Sequence, residues 1–533
     1  MTTSKRLASL LLLLAAAGAL APAQDDSSNA ASQAAPSWKP IAVAGIEPAE
    51  TLDERDRWMP TAIEETLAWR LRRAPGLTVI PTIRLHQSRL ELAEKVDDPP
   101  APWSRVVSLI GADYWLRGVC SGTPYKTVLD LELLGADQPD ATPPATRIGP
   151  ARLFDALDEA TRWTLGQMNI TRIDEKTQNL ILAPPAKSPT ALEYYAKALG
   201  AARANNLREA AYYASRSIES DPTYAPALML MAKIELRSPG RLWRRAEIRL
   251  RQIQQIIADR RDPATEAECE IAQGLLLMMN RSLAPAKQRF DTALALARKT
   301  NDPYARLGAM NCLCDYWLNV PRQTEKSEDG AEQQSDQLNV RKAVEWELRV
   351  LELLRELDDF VARAPGSNKL AVMYETLNEP ELALKAYLQT IEAAKAIDSK
   401  RTQAAAYLFL GQWYKRHERW PEALEAAQQC FMLVPDDAKP AIRISLGEIL
   451  RGLKQPQKAL DEYETAYQAL ADGDDMLSQF HCLQAVAELQ MELGNPKAAI
   501  DKLTDALDYA QVLELDEEEN IREQLAQWKT LTP

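Results

Sequence analysis

The sequence predicts a mainly α protein, in which a small α/β domain is followed by an α-α superhelical solenoid of helical repeats. Two observations carry this prediction. Up to about residue 168, short apolar runs bounded by turn residues alternate with stretches of helical periodicity. Beyond residue 190, alanines recur at spacings of 36, 40, 57, 40, 40, 36 and 40 residues, and a period of this size indicates stacked helical units. The recurring alanines are Ala210, Ala246, Ala286, Ala343, Ala383, Ala423, Ala459 and Ala499.

The amino terminus has the pattern of an export signal. Lys5 and Arg6 precede an apolar run at 7–21, and small residues in an A-x-A pattern end at Ala23. This run is shorter than the roughly 20 residues that a membrane-spanning helix needs, and no later stretch is apolar enough to span a membrane. We therefore expect a signal peptide at 1–23 that is cut after Ala23, a flexible leader at 24–38 and a periplasmic or otherwise exported protein. An uncleaved anchor is the alternative.

The predicted α/β domain covers residues 39–171 and has the element order β-α-β-α-α-β-β-α. Its last two strands, near 114–119 and 127–133, are expected to pair antiparallel. The runs PIAV at 40–43, APGLTVIP at 74–81 and LIGADYWLRGV at 109–119 resemble the amino-terminal domain of TolB-type periplasmic proteins. That resemblance implies a domain that contacts other proteins rather than one that catalyses a reaction. An unrelated small α/β module is the alternative.

The rest of the chain resembles bacterial tetratricopeptide repeat proteins. A proline-containing stretch at 172–190 is predicted to be a linker. The unit at 404–437 has Tyr407, Leu410, Gly411, Tyr414, Ala423 and Pro435 in the order of the tetratricopeptide motif. We expect about eight such repeats over 191–515 and a capping helix at 516–533. The spacing of 57 is explained by a polar insertion at 322–337.

The residue types argue against a reaction centre. The chain has three histidines (His86, His417 and His481), 20 glycines in 533 residues, and no glycine-rich phosphate loop or metal-binding motif. Its six cysteines are predicted to be buried thiols, with one long-range disulfide left open. A net charge of −13 disfavours nucleic-acid backbones and anionic membranes as partners. We therefore predict a protein that is not an enzyme and has no cofactor and no metal.

The resemblance to tetratricopeptide proteins also implies a binding site. In that family the first helix of each repeat lines a concave groove that takes peptides or helices from protein partners. When the groove positions of that family are transferred to this sequence by helical face, most of the selected residues are basic. Basic residues in a groove favour an acidic partner. The alternative is that they are ordinary surface cations paired with nearby acids. The positions are Arg203, Lys233, Arg237, Gln412, Lys415, Arg416 and Arg451.

Two functions fit these features best, and an enzyme, which would need a deep pocket that converges on carboxylates with shifted pKa values, comes third. The first is an exported scaffold whose repeats bind one partner and whose α/β domain contacts a second partner in the cell envelope. The second is a ligand sensor, which holds a small molecule in the α/β domain or in the crevice between the domains and relays the signal through the repeats.

Overall fold

A computed structural model describes residues 40–93, 99–135, 142–184, 186–237, 242–260, 262–320, 331–471, 473 and 475–531. The predicted signal peptide, the predicted leader and positions 322–330 of the predicted insertion lie outside these residues. The described residues confirm the predicted fold class, a small α/β domain followed by helical repeats. None of the helices within these ranges is long and apolar enough to cross a membrane. The described residues form two compact units, one within 40–90 and 100–366 and the other within 91–93, 99 and 367–531.

The α/β domain is built on one five-stranded sheet with the order β2-β1-β3-β4-β5. Strand β1 runs parallel to β2 and β3, whereas the β3–β4 and β4–β5 pairs are antiparallel. The elements are β1 (Pro40–Pro48), α1 (Met59–Leu71), β2 (Thr78–Val79), α2 (Thr82–Glu91), α3 (Trp103–Leu109), β3 (Tyr114–Thr123), β4 (Lys126–Gly135), β5 (Ala145–Ala151) and α4 (Leu153–Gln167).

Strand β5 is absent from the predicted order, which must therefore be corrected. It is an edge strand in which Ile148 alone is buried, so its sequence lacks the alternation of apolar and polar residues that marks a half-buried strand. The predicted β3–β4 hairpin is confirmed. Both of its strands are longer than predicted, and the turn lies at Pro124 and Tyr125.

The predicted linker at 172–190 also needs correction, because it contains helix α5 (Glu175–Leu182). The Asp174 side chain caps this helix by accepting a hydrogen bond from the Thr177 amide. Ile181 is buried in an apolar core that extends from the sheet to Tyr195 and Tyr224 of the first repeats. The α/β domain and the start of the repeat array thus share one core.

Within the described residues, eight consecutive helix pairs follow, and then a single last helix. The pairs are α6 (Pro189–Arg203) and α7 (Leu207–Ser220), α8 (Ala225–Arg237) and α9 (Trp243–Arg260), α10 (Pro263–Met279) and α11 (Leu283–Lys299), α12 (Pro303–Asn319) and α13 (Ala331–Glu356), α14 (Phe360–Thr376) and α15 (Pro380–Ala396), α16 (Lys400–Arg416) and α17 (Trp420–Leu433), α18 (Lys439–Gly452) and α19 (Pro456–Leu470), and α20 (Met476–Glu492) and α21 (Pro496–Leu513). The last helix is α22 (Glu518–Leu531), which buries Ile521 and Leu525.

The periodic alanines are confirmed as packing positions. All eight lie in the second helix of a pair, and all eight are fully buried. A methyl group is small enough for neighbouring helices to approach closely, which explains why alanine recurs once in each unit.

Two glycines of the repeat motif give a matched test of this packing. A Cβ on Gly447 would lie 2.6 Å from the buried Tyr463 ring, whereas a Cβ on Gly411 would meet Ala426 at an ordinary 3.5 Å. We expect Gly447→Ala to lower the free energy of unfolding by about 1–2 kcal/mol, because overpacking outweighs the gain in helix propensity. Gly411→Ala should raise it by up to about 1 kcal/mol. Urea denaturation of both variants tests the pair, and equal effects would contradict the packing argument.

Candidate functional site

Two of the three predicted site residues of the first repeats, Arg203 and Lys233, lie against acidic side chains of the same unit. Arg203 of α6 binds Glu65 of α1 at 2.6 Å, and both side chains are largely buried. Lys233 of α8 lies 3.8 Å from Glu268 of α10. Arg237 is the last residue of α8. The structure therefore places Arg203 in contact with the α/β domain of its own chain.

Other arginines of the α/β domain, which lie on its helices or directly after them, also contact the repeats of this unit. Arg72 and Arg73, which directly follow α1, bind acidic residues that cap first helices of the repeats. Arg72 donates from Nε to Asp302 Oδ2 at 3.0 Å, and Arg73 binds Asp262. Asp262 also accepts the Thr265 amide at the start of α10, and Asp302 accepts the Ala305 amide at the start of α12. Each carboxylate thus caps a helix and holds an arginine of the α/β domain.

A third contact of the same kind lies at the start of α14. Arg84 of α2 binds Asp359 with two hydrogen bonds, at 2.8 and 3.1 Å, and Asp359 also accepts the Ala362 amide at 3.0 Å. We call the set Arg72, Arg73, Arg84, Asp262, Asp302 and Asp359 the cap clamp. The three arginines are separated from their partners by 189 to 275 residues, so no local sequence pattern indicates these contacts.

Glu268 binds both Arg72 of the cap clamp and Lys233 of the predicted site. Its contribution to stability can be tested by changing the pH. Burial raises the pKa of Glu268, but Lys233 and Arg72 outweigh it and lower the pKa from 4.5 to about 2. A pKa that is lowered by folding means that ionised Glu268 stabilises the folded chain above pH 4.5. This contribution is lost as the pH falls towards 2.

We therefore expect Glu268→Gln to be less stable than the parent chain at pH 7 and to lose stability less steeply between pH 5 and pH 2. Urea denaturation over this range measures the effect. Glu219→Gln, which alters a surface ion pair with Arg216, is the control and should follow the parent chain. A Glu268→Gln profile parallel to that of the parent chain would contradict the assignment.

The four predicted site residues of the second unit are brought together on two consecutive first helices. Gln412, Lys415 and Arg416 lie on α16, and Arg451 lies on α18. Each of the three cations is paired with an acid of a neighbouring first helix. Arg416 binds Glu375 at 2.6 Å, Lys415 binds Glu448, and Arg451 binds both Glu488 and Glu492 at 2.6 Å.

We call this row of three cations and four acids the charge ladder. The ladder runs across α14, α16, α18 and α20, so it ties successive repeats together. The four acids are not among the site residues predicted from the sequence, although the sequence contains a signal for them. Each lies 33 to 41 residues from its cation, which is about one repeat period. Opposite charges one repeat period apart on first helices are the sequence pattern that indicates these pairs.

A partner that binds the ladder has to compete with the ion pairs that the ladder already contains. Its cations are matched by a slight excess of acids, so an acidic partner has to exchange with Glu375, Glu448 or Glu488. Exposed ion pairs of this kind contribute only about 0–1 kcal/mol each, so such an exchange is inexpensive. The role of Gln412, Lys415, Arg416 and Arg451 in partner binding stays a prediction.

The described residues contain no group of three or more histidine, cysteine or acidic side chains placed to hold a metal ion. All six cysteines lie in the described part of the chain as buried thiols that form no disulfide. Burial raises the pKa of Cys120, Cys269 and Cys482 to about 12 and that of Cys430 to about 11. These four thiols are therefore protonated and poorly nucleophilic at neutral pH.

Several solved structures are similar to parts of this chain. A signal transduction ATPase with a tetratricopeptide repeat sensor from Pyrococcus horikoshii is 16% identical, with a TM-score of 0.46 over 70% of this chain. The match covers 56% of that protein, so this chain spans little more than half of its length. The apo form of RapI is 12% identical, with a TM-score of 0.43 over 64% of this chain and 97% of RapI. MamA is 16% identical, with a TM-score of 0.28 over 35% of this chain and 98% of MamA.

No model of a protein family matches the chain, and no curated protein matches its sequence.

Proposed function

We propose that this protein is an exported, non-enzymatic scaffold that binds a protein partner along the first helices of its later repeats. The observation that carries the proposal is the charge ladder, an accessible row of exchangeable ion pairs across α14, α16, α18 and α20. The row lies on rigid helices, so little conformational entropy is lost when a partner binds. A peptide or helix with acidic side chains, spaced to reach Lys415, Arg416 and Arg451, is the partner that this row fits.

Export and a second partner complete the proposal. The charged start, the short apolar run and the A-x-A end before Gln24 support secretion of the chain. The α/β domain would then face a second partner in the cell envelope, and simultaneous engagement of both partners would raise the overall affinity. Expression of the full chain in a bacterium should yield a periplasmic protein that begins at Gln24. A cytoplasmic product that retains residue 1 would exclude export by this signal.

The scaffold proposal is tested by neutralising the ladder cations in the full chain. The variant Lys415→Gln, Arg416→Gln and Arg451→Gln removes three positive charges from the predicted site. The control variant Arg216→Gln, Arg251→Gln and Arg522→Gln removes three from surface pairs within single helices. Each variant is used as bait against a cell-envelope extract, with chemical cross-linking and mass spectrometry.

We expect the parent chain and the control to capture the same protein, with at least a tenfold loss of captured protein for the ladder variant. Equal capture by all three baits would exclude the ladder as the binding site. Capture of no protein by any bait would contradict the scaffold function. Circular dichroism of the baits shows whether the ladder variant remains folded.

A further inference from the structure

The α/β domain contains an open cavity of about 800 Å³, within the range of small-molecule sites. It lies on the face of the sheet opposite to the core. Residues Leu116, Leu129 and Leu131 point to the core, whereas Trp115, Arg117, Asp130 and Glu132 alternate with them and face the cavity. Arg89 of α2 and Trp103 of α3 form a further part of the wall, together with residues of β1 and β5.

A glycine permits the close approach that shapes this wall. Gly45 of β1 has a φ of +76°, at an irregularity in the β1–β3 pairing. A Cβ at this position would lie 2.9 Å from the Trp103 ring. The indole therefore packs directly on the strand and lines the cavity.

Arg89 differs from the other cations of the cavity. Arg117 is paired with Glu132 at 2.8 Å, and Arg147 is paired with Asp130 at 3.3 Å. The Arg89 guanidinium lies 4.4 Å from the Trp103 ring centroid and donates from Nε to the Ala101 carbonyl at 2.9 Å. In the part of the chain that the structure describes, no carboxylate lies within ion-pair distance of Arg89. Among the described residues, its two terminal nitrogens therefore have no acidic partner at the cavity wall.

This arrangement defines the chemistry of a ligand. Two terminal N–H groups of one guanidinium bind a carboxylate in a bidentate manner. Trp103, Trp115 and the half-exposed Val119 supply an apolar surface beside it. The nearby acids Glu47, Asp130 and Glu132 disfavour a dianion such as phosphate. We propose that this cavity binds a small organic carboxylate with an apolar body, and that Arg89 holds its carboxylate group.

The two elements that wall the cavity also contact the repeats. Helix α2 carries Arg89 and also Arg84, which binds Asp359. Helix α3 carries Trp103 and leads into Gly111, where a Cβ would lie only 1.7 Å from the Leu357 carbonyl oxygen. We infer that movement of α2 or α3 on ligand binding is transmitted to the turn before α14 through these two contacts. The cavity is coupled to the repeat array through this turn.

Calorimetric titration of the full chain with phenylacetate tests the site, and phenylacetamide is the neutral probe of the same shape. We expect phenylacetate to bind the parent chain with a millimolar or lower Kd. Phenylacetamide binding, and phenylacetate binding to Arg89→Gln, should be at least tenfold weaker, because a hydrogen bond to a charged group is lost. Arg89→Lys should give an intermediate affinity. Arg55→Gln, which alters an exposed pair outside the cavity, should bind as the parent chain does.

No heat of binding at 10 mM phenylacetate, or equal affinity in Arg89→Gln, would overturn the site. Tighter binding of inorganic phosphate than of phenylacetate would overturn the carboxylate assignment. Hydrogen exchange at the Ala362 amide, which Asp359 holds, tests the coupling. We expect its exchange rate to change at least twofold with saturating phenylacetate, and an unchanged rate would exclude the coupling.

Discussion

Replacement of Gly111 by alanine is expected to lower the free energy of unfolding by about 3 kcal/mol and to weaken the contact between the α/β domain and the turn before α14. Two costs add at this position. Gly111 has a φ of +70°, where a residue with a Cβ is destabilised by roughly 1–2 kcal/mol. Its Cβ would also lie 1.7 Å from the Leu357 carbonyl oxygen, so backbone has to move, at about 1–3 kcal/mol.

Gly76→Ala is the matched control for the first of these costs. Gly76 has a φ of +77°, and a Cβ at this position would meet no atom within 4 Å. This variant should therefore lose only the 1–2 kcal/mol of backbone strain. Urea denaturation measures both variants, and hydrogen exchange of the Ala362 amide reports the local contact. Equal losses in the two variants would show that the contact with Leu357 contributes nothing.

Replacement of Asp158 by alanine is expected to cost about 3 kcal/mol, because it leaves a buried cation without its acid. The Arg70 side chain is fully buried in the α/β domain and binds Asp158 Oδ1 at 2.7 Å. Its other polar contacts are to neutral oxygens of Thr161 and Leu182. Loss of one partner of a buried ion pair costs about 3–5 kcal/mol, and the partial exposure of Asp158 places this case at the lower end.

A double variant separates the charge effect from a general loss of packing. The variant Arg70→Met with Asp158→Ala has no buried charge and keeps an apolar side chain of similar length. We expect it to be more stable than Asp158→Ala alone. Glu219→Ala, which breaks an exposed pair with Arg216, should cost less than about 1 kcal/mol. Urea denaturation distinguishes these outcomes. A double variant less stable than the single variant would show that Arg70 acts through packing and not through its charge.

Local sequence patterns predict most of the helices and strands. Ala423 and the other periodic alanines mark second helices, since only small residues let neighbouring helices approach closely. The strands at 40–46 and 127–133 are visible as apolar or alternating runs. Strand β5 escaped prediction, because an edge strand with one buried residue leaves no such pattern. Helix α5 escaped because nearby prolines suggested a linker.

The candidate site also has one part that local sequence patterns predict and one part that depends on tertiary packing. By itself the sequence determined that Gln412, Lys415, Arg416 and Arg451 belong to first helices, because helical periodicity assigns a face to each residue. Only the tertiary structure decided which charges oppose them across the ladder. It also shows that Arg203 contacts the α/β domain and that Arg89 lines a cavity in that domain. Such contacts join residues far apart in the chain, and the packing of whole elements, rather than any local pattern, brings them together.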